Sequence, residues 1–244
     1  MLKKYSIHSN KFKHINFLIN MINKEIINKY KKYNNNLSEL HQFIDKKNIN
    51  ELRIKCFEKI NKLDWKNIIK KIALQELVKI LGPDIQIQTK INLSIQMPGD
   101  KSSILPTHSD SWSSDTPFQI NLWLPLTDAF ETNSMFVLGE TVSLKAFKLI
   151  SKNKQKKLEK PNKEDFIKAK YGNFVIFNPS LLHGNVLNKT KKTRVSLNVR
   201  LKSTFSPQPD EYHQDRKYGT YYQDFIRSDN TNFAIKVLKT GILK

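Results

Sequence analysis

Two periodicities divide this chain. Between Phe12 and Tyr33 apolar residues recur at helical spacing (Ile15, Leu18, Ile19, Ile22, Ile26, Tyr30), and Asn34-Asn35-Asn36 ends the run. A short helix over 38–46 is expected next, with Asn36 or Ser38 as N-cap. A third, over 50–60, turns Leu52, Ile54, Phe57 and Ile60 inward. The fourth has the clearest limits, with Asp64 as N-cap, Gly82-Pro83 as stop, and Ile68, Ile69, Ile72, Leu77, Val78 and Leu81 as its buried stripe. His14 and His41 fall on these helices and read as surface or interhelix residues. At Ile85 the period changes to 2: up to Met97 every second residue is apolar, Thr89 excepted, and the others are Gln, Lys, Asn and Ser. One strand over 85–97 is expected, its apolar face on the helices and its polar face toward bulk water or a polar cavity.

The same alternation returns twice. Over 118–124 Phe118, Ile120, Leu122 and Leu124 oppose Gln119, Asn121 and Trp123; over 194–202 Val195, Leu197, Val199 and Leu201 oppose Arg194, Ser196, Asn198 and Arg200. Shorter strands are expected over 134–138 and 174–177, with turns at Pro98-Gly99-Asp100 and 125–128 and helical or irregular sequence over 143–170. Strand following strand without intervening helices excludes a doubly wound sheet. The pattern predicts an α+β protein: a jelly-roll, cupin-like double-stranded β-helix core preceded by an N-terminal helical segment. As a single domain over 1–244 it divides into a helical preface (12–81), a jelly-roll core (85–205) and a C-terminal tail or lid (206–244). If the polar faces all turn inward, the interior is hydrophilic, and each unpaired buried group costs a few kcal/mol. A sugar or nucleotide sugar would fill such a space. The alternative is that one or two of these faces are the solvated side of an antiparallel sheet.

Composition narrows the setting. At 244 residues the chain suits one sizeable domain. Its single cysteine, Cys56, excludes an intramolecular disulfide and a thiolate metal site, and fits a reducing cytoplasm. Lys3-Lys4 is followed by no apolar core, so no signal peptide is expected, and no apolar run reaches the ~18 residues of a membrane span. The net charge of +20 would by itself point to nucleic acid. The lysines are dispersed among Asn and Ile, however, and the densest cluster, 152–160, has no aromatic residue to stack on a base. A solvated helical face and no nucleic-acid partner are expected, although a phosphate-bearing small substrate would gain from the field. The tail carries Tyr212, His213, Tyr218, Tyr221, Tyr222 and Phe225. These suit a lid, but better the cover of a core edge or a homodimer contact.

His108-Ser109-Asp110 concentrates the chemistry. On a strand, residues two apart share a face, so the expected strand sets an imidazole beside a carboxylate. His183 would complete two histidines and one carboxylate, a set that suits non-haem Fe(II) with open positions for substrate and O2. The tripeptide alone is equally a surface feature, and Asp115 is a rival carboxylate at a less apt spacing.

With Arg194-Val195-Ser196 lying 11 residues beyond His183, the chain resembles the Fe(II)- and 2-oxoglutarate-dependent dioxygenases. In that family an H-x-D and a distal His bind iron, and an Arg shortly after that His, often in an R-x-S arrangement, grips the cosubstrate. Over residues 117–126, 182–185 and 193–200 it is similar, more narrowly, to the sporadic carbohydrate-cluster oxygenases, a group that includes a streptomycin-biosynthesis protein. The resemblance covers roughly residues 85 to 205. It implies Fe(II) on His108, Asp110 and His183, 2-oxoglutarate on Arg194 and Ser196 with Asn121 or Gln119 at its near carboxylate, and O2 as co-reactant. Arg200, Trp112 and Asn185 would then meet the substrate. A guanidinium fork matches a carboxylate, which supports the role of Arg194, although an ordinary surface ion pair would also account for a strand Arg. Hydroxylation of a polar small molecule in carbohydrate biosynthesis is the default outcome, with desaturation, alcohol oxidation and epimerisation open to the same chemistry. A carboxylate at Asp110 leaves no place for halide and argues against a halogenase. Two other classes compete: a cupin-like metal isomerase that uses no 2-oxoglutarate, and a basic binding module without chemistry.

Overall fold

A computed structural model describes residues 4–9, 12–113, 115–151, 158–207 and 216–242. Tyr212, His213 and the lysines at 152, 156 and 157 lie outside these. The main sheet contains β1 (Tyr5–Ser9), β2 (Ile85–Gln88), β3 (Asn92–Gln96), β4 (Gln119–Pro125), β6 (Asn173–Phe177), β8 (Arg194–Ser203) and β9 (Tyr222–Ile226) in the order β1-β6-β4-β8-β2-β9, with β3 also on β8. A second, smaller sheet pairs β5 (Met135–Val137) with β7 (His183–Asn185). Every pairing between these strands is antiparallel, as the expected jelly-roll requires.

The long strand β8 organises the main sheet. One edge pairs with β4 from Gln119↔Lys202 to Pro125↔Ser196; the other pairs first with β2 and then with β3. The expected single strand over 85–97 is thus two strands, separated at 89–91. At the break the Asn61 amide takes the place of a strand partner: Ile91 N–H donates to its Oδ1 (2.9 Å) and its Nδ2 donates to the Ile91 carbonyl (3.0 Å). The alternation therefore survives the interruption.

Helices α1 (Phe12–Lys29), α2 (Ile49–Asn61) and α3 (Trp65–Leu81) cover the outer face of the main sheet. Ile15, Leu18, Ile22, Leu52, Ile69 and Leu77 join Ile87, Ile95, Leu122, Val195, Leu197, Val199 and Leu201 in one core. Asp64 caps α3 through Asn67 N–H (3.3 Å), and Gly82, at φ +82, ends it. Two helical expectations change. Residues 37–42 form a 3-10 helix, capped by Asn36, and Ile54 points outward while Cys56 takes the buried place. Helix α4 (Glu140–Ile150) packs Ala146 with Phe136 and Leu182 behind the smaller sheet.

The polar faces turn inward. Gln86, Gln88, Gln96, Gln119, Asn121, Arg194, Ser196 and Lys202 are all buried, so none of these strands offers its polar face to bulk water. The tail contributes β9, which pairs with β2, and α5 (Asp229–Lys239). Tyr222 and Phe225 are buried in the sheet edge and Tyr218 is exposed.

Arg53 of α2 fastens the helices to the sheet. Its guanidinium donates to the Ile95 carbonyl (3.2 Å) and pairs with Asp100 (2.5 Å), whose carboxylate also accepts from Ser102. Burial alone would raise the Asp100 pKa; Ser102 and Arg53 outweigh it and hold it below the ordinary value. This contribution is complete above the unfolded carboxylate value and is lost as pH falls through the lower folded one. Arg53→Ala leaves Asp100 buried and unpaired and is expected to lower stability by about 3 kcal/mol. Urea unfolding at neutral pH measures it, and the difference from wild type should shrink on acidification.

Candidate functional site

His108 and His183 meet through an antiparallel bridge, His108 N–H to His183 O (2.9 Å) and His183 N–H to His108 O (2.8 Å). The segment is no continuous strand, contrary to the expectation: Asp110 opens a 3-10 turn over Asp110–Ser113. Its backbone N–H donates to Pro179 O (3.0 Å), while Ser109, turned into the interior, donates to Ser180 O (2.9 Å). These bonds bend the chain immediately after His108. The three side chains still converge, because the turn brings Asp110 Oδ1 to 3.5 Å from His108 Nε2 and 3.7 Å from His183 Nε2.

The backbone sets the tautomers. His108 Nδ1 lies 2.8 Å from Pro106 O and His183 Nδ1 lies 2.8 Å from Leu181 O. A carbonyl only accepts, so in each neutral ring Nδ1 carries the proton and Nε2 offers a lone pair toward Asp110. Ligand atoms of all three residues lie within 4.8 Å of one another. Two neutral imidazoles and one carboxylate fit Fe(II). Gly184 makes the approach feasible, since a Cβ there would stand 2.7 Å from Leu105 O and 3.0 Å from Pro106 O.

Charge around the triad is uneven. Arg200 Nε donates to Asp110 Oδ2 (2.8 Å), leaving Oδ1 toward the histidines, and its other arm donates to Tyr221 OH (2.9 Å). Asp115 lies 3.3 Å from both Arg200 and Arg216, so the rival carboxylate belongs to this ion-pair network and is no part of the histidine cluster. Burial would raise the Asp110 pKa, but His108 and Arg200 outweigh it and hold the group ionised. Burial pushes His183 down to about 4. For His108 burial acts the same way, but Asp110 and the Pro106 carbonyl prevail and raise it.

Arg194 lies on the same cavity wall, 2% exposed. It donates to Asn133 O (2.7 Å), Ser196 Oγ (2.6 Å) and Gln96 Oε1 (3.0 Å), and among the described residues no carboxylate pairs with it. Burial lowers its pKa to about 10, so it remains a cation at neutral pH. A buried cation held by neutral groups alone fits an anionic ligand. The cavity it shares with the triad measures about 110 Å³, room for a small organic acid where a single water needs only about 10–15 Å³.

A profile of the phytanoyl-CoA dioxygenase (PhyH) family matches residues 10–196. The chain belongs to this family, whose members are Fe(II)- and 2-oxoglutarate-dependent dioxygenases. The PhyH-family chain is 28% identical over 115 residues to the streptomycin biosynthesis protein StrG of Streptomyces griseus, a match spanning 47% of this chain and 43% of StrG. It thus spans less than half the length of that relative. Its fold is similar to the non-haem monooxygenase ThoJ, with TM-score 0.57 and 13% identity over 93% of this chain and 81% of ThoJ. It is also similar to HygX from Streptomyces hygroscopicus, solved with nickel and 2-oxoglutarate bound, with TM-score 0.52 and 10% identity over 91% of this chain and 93% of HygX.

Other expected site residues divide. Asn121, with an unpaired amide oxygen, and Ser196 line the cavity with the triad and Arg194. Gln119 does not; its amide oxygen accepts from Tyr222 OH. Asn185 reaches the cavity wall, but its amide is engaged with Leu105 N–H (2.7 Å) and Ser103 O (3.1 Å), which fixes the segment ahead of His108. Trp112 packs edge-on to Phe147 at 5.7 Å, away from the cavity lining. Arg200 lines the cavity while engaged with Asp110. Gln96 and Ser94 escaped the sequence reading although both stand on the polar side of the alternation; Arg216 gave no signal and Tyr221 only that of an aromatic tail, because only the fold brings the tail here.

Two outcomes follow. Gly184→Ala should cost about 1–3 kcal/mol by overpacking against the 105–106 carbonyls, and weaken Co(II) binding because Pro106 O also orients His108. Calorimetric titration with Co(II) measures the second effect. Protons compete with metal for Nε2, and His108 titrates first; Co(II) affinity should therefore fall about tenfold per pH unit as pH drops below the raised His108 value. His183 adds to the loss only near pH 4.

Proposed function

We propose that this chain is an Fe(II)- and 2-oxoglutarate-dependent oxygenase that hydroxylates a polar small molecule, a sugar or nucleotide sugar. The observation that carries the reading is Arg194: a buried guanidinium with no carboxylate partner among the described residues, sharing a small cavity with two histidines and an aspartate. A cupin-like isomerase would have no use for that cation, and a binding module none for the tautomers fixed at His108 and His183.

His108, Asp110 and His183 would hold Fe(II), which in the presence of O2 supplies the oxidative decarboxylation of 2-oxoglutarate to succinate, one oxygen atom entering the succinate and the other a substrate C–H bond. Arg194 would pair with the distal carboxylate, assisted by Ser196 Oγ, which the guanidinium already orients at 2.6 Å. Gln96 and the Asn133 carbonyl fix the remaining arms, so little side-chain freedom is lost when the ligand arrives. Arg200 positions Asp110 through Oδ2 and keeps the carboxylate from turning both oxygens to one side. The polar inner walls of β3, β4 and β8 supply donors and acceptors of the kind a hydroxylated substrate requires, and the likeness to StrG agrees with carbohydrate chemistry.

Arg194→Ala removes the charged partner and is expected to weaken 2-oxoglutarate binding about a hundredfold, the lower end of what truncating a buried charge pair costs. Succinate formation against 2-oxoglutarate concentration reads this as a raised KM. Sugars and nucleotide sugars are then screened for faster succinate release. An unchanged KM in Arg194→Ala would remove Arg194 from the cosubstrate's binding site.

A further inference from the structure

Lys202 is the second buried cation on the inner face of β8. Its side chain is fully buried, and among the described residues its Nζ has no hydrogen-bond partner and no carboxylate pairs with it. The face of the Tyr222 ring lies 4.7 Å from Nζ, a partial compensation. Burial lowers its pKa to about 8, which leaves it mostly charged at neutral pH.

Two of the inward cations are matched and two are not. Arg200 and Arg216 face Asp110 and Asp115. Among the described residues no carboxylate faces Arg194 or Lys202. They stand at opposite ends of β8, about 27 Å apart at strand rise, with Arg200 and its bond to Asp110 between them. One molecule of 2-oxoglutarate at Arg194 is far too short to reach Lys202. Any anion that meets Lys202 is therefore a second one.

From this we infer that Lys202 binds an anionic group of the substrate, a phosphate or a carboxylate, on the side of the triad away from Arg194. The inference rests on the oxygenase reading for which end receives 2-oxoglutarate, and not for the need of an anion at Lys202. Gln86, directly across from Lys202 in the β2–β8 register, keeps a buried Oε1 without a donor among the described residues. An anion alone would leave that acceptor unsatisfied; an anion with a hydroxyl beside it satisfies both. The group on this side is therefore that of a phosphorylated or carboxylated polyol. The rival account is a lysine solvated by a trapped water.

Methyl phosphate and acetate are suitable probes. Full-length protein loaded with Fe(II) and 2-oxoglutarate is titrated anaerobically by calorimetry with each, as wild type, Lys202→Met and Arg194→Ala. Wild type is expected to bind at least one, and the tighter of the two names phosphate or carboxylate. Lys202→Met should weaken that probe at least about tenfold while leaving 2-oxoglutarate affinity unchanged. Its Tm should equal or exceed that of wild type, since an unpaired buried charge is removed. Arg194→Ala should do the reverse, weakening 2-oxoglutarate and sparing the probe. Absence of probe binding to wild type, or equal binding by Lys202→Met, would overturn the inference. Failure of 2-oxoglutarate to bind with probe binding intact would overturn the oxygenase reading and leave Lys202 as an anion site.

Discussion

The register of β8 is the constraint on which the structure depends. Val195, Leu197, Val199 and Leu201 are fully buried against the helices, which forces Arg194, Ser196, Asn198, Arg200 and Lys202 to the other side. A slip by one residue would drive three cations into an apolar core and turn four aliphatic side chains into the polar interior. The hydrophobic effect on the outer face thus holds the charges of the inner face where water cannot satisfy them. Helices α1 to α3 belong to the same argument, because without them the apolar face of β8 has nothing to bury it.

Function follows from how that inward charge is balanced. Arg200 is matched by Asp110 and Asp115, and in matching Asp110 it leaves one carboxylate oxygen for the two imidazoles. Arg194 is matched by no carboxylate of the described residues, an arrangement whose cost is offset when a dicarboxylate binds. The backbone does the rest: carbonyls of Pro106 and Leu181 fix which ring nitrogens are free, and Gly184 lets those segments lie against each other. Stability and site chemistry share the same bonds here.

Much of this was legible in the sequence, for physical reasons that can be named. Alternation of period 2 is local, so the faces of β2, β3, β4 and β8 could be read directly, as could the cap and stop of α3 and, apart from Ile54, the helical stripes, though not the break between β2 and β3. His108, Asp110, His183 and Arg194 stood out because their residue types and spacing suit one chemistry. The Asp110 turn did not: it depends on hydrogen bonds to Pro179 and Ser180, which the fold brings from far along the chain. β1 and β9 are short edge strands with no alternation strong enough to announce them, and the role of Gln119 changed because Tyr222 of β9 takes its amide. Neither the pairing of Arg200 with Asp110 nor the isolation of Lys202 is a property of local sequence.

The most direct measurement is anaerobic absorption spectroscopy of the protein titrated with Fe(II) and then with 2-oxoglutarate. The account requires a weak visible charge-transfer band that appears only when both are present, and that His183→Ala abolishes. Iron bound with no band on adding 2-oxoglutarate would contradict the cosubstrate assignment and favour a cupin-like metal enzyme. No iron bound at all would contradict the triad as a metal centre.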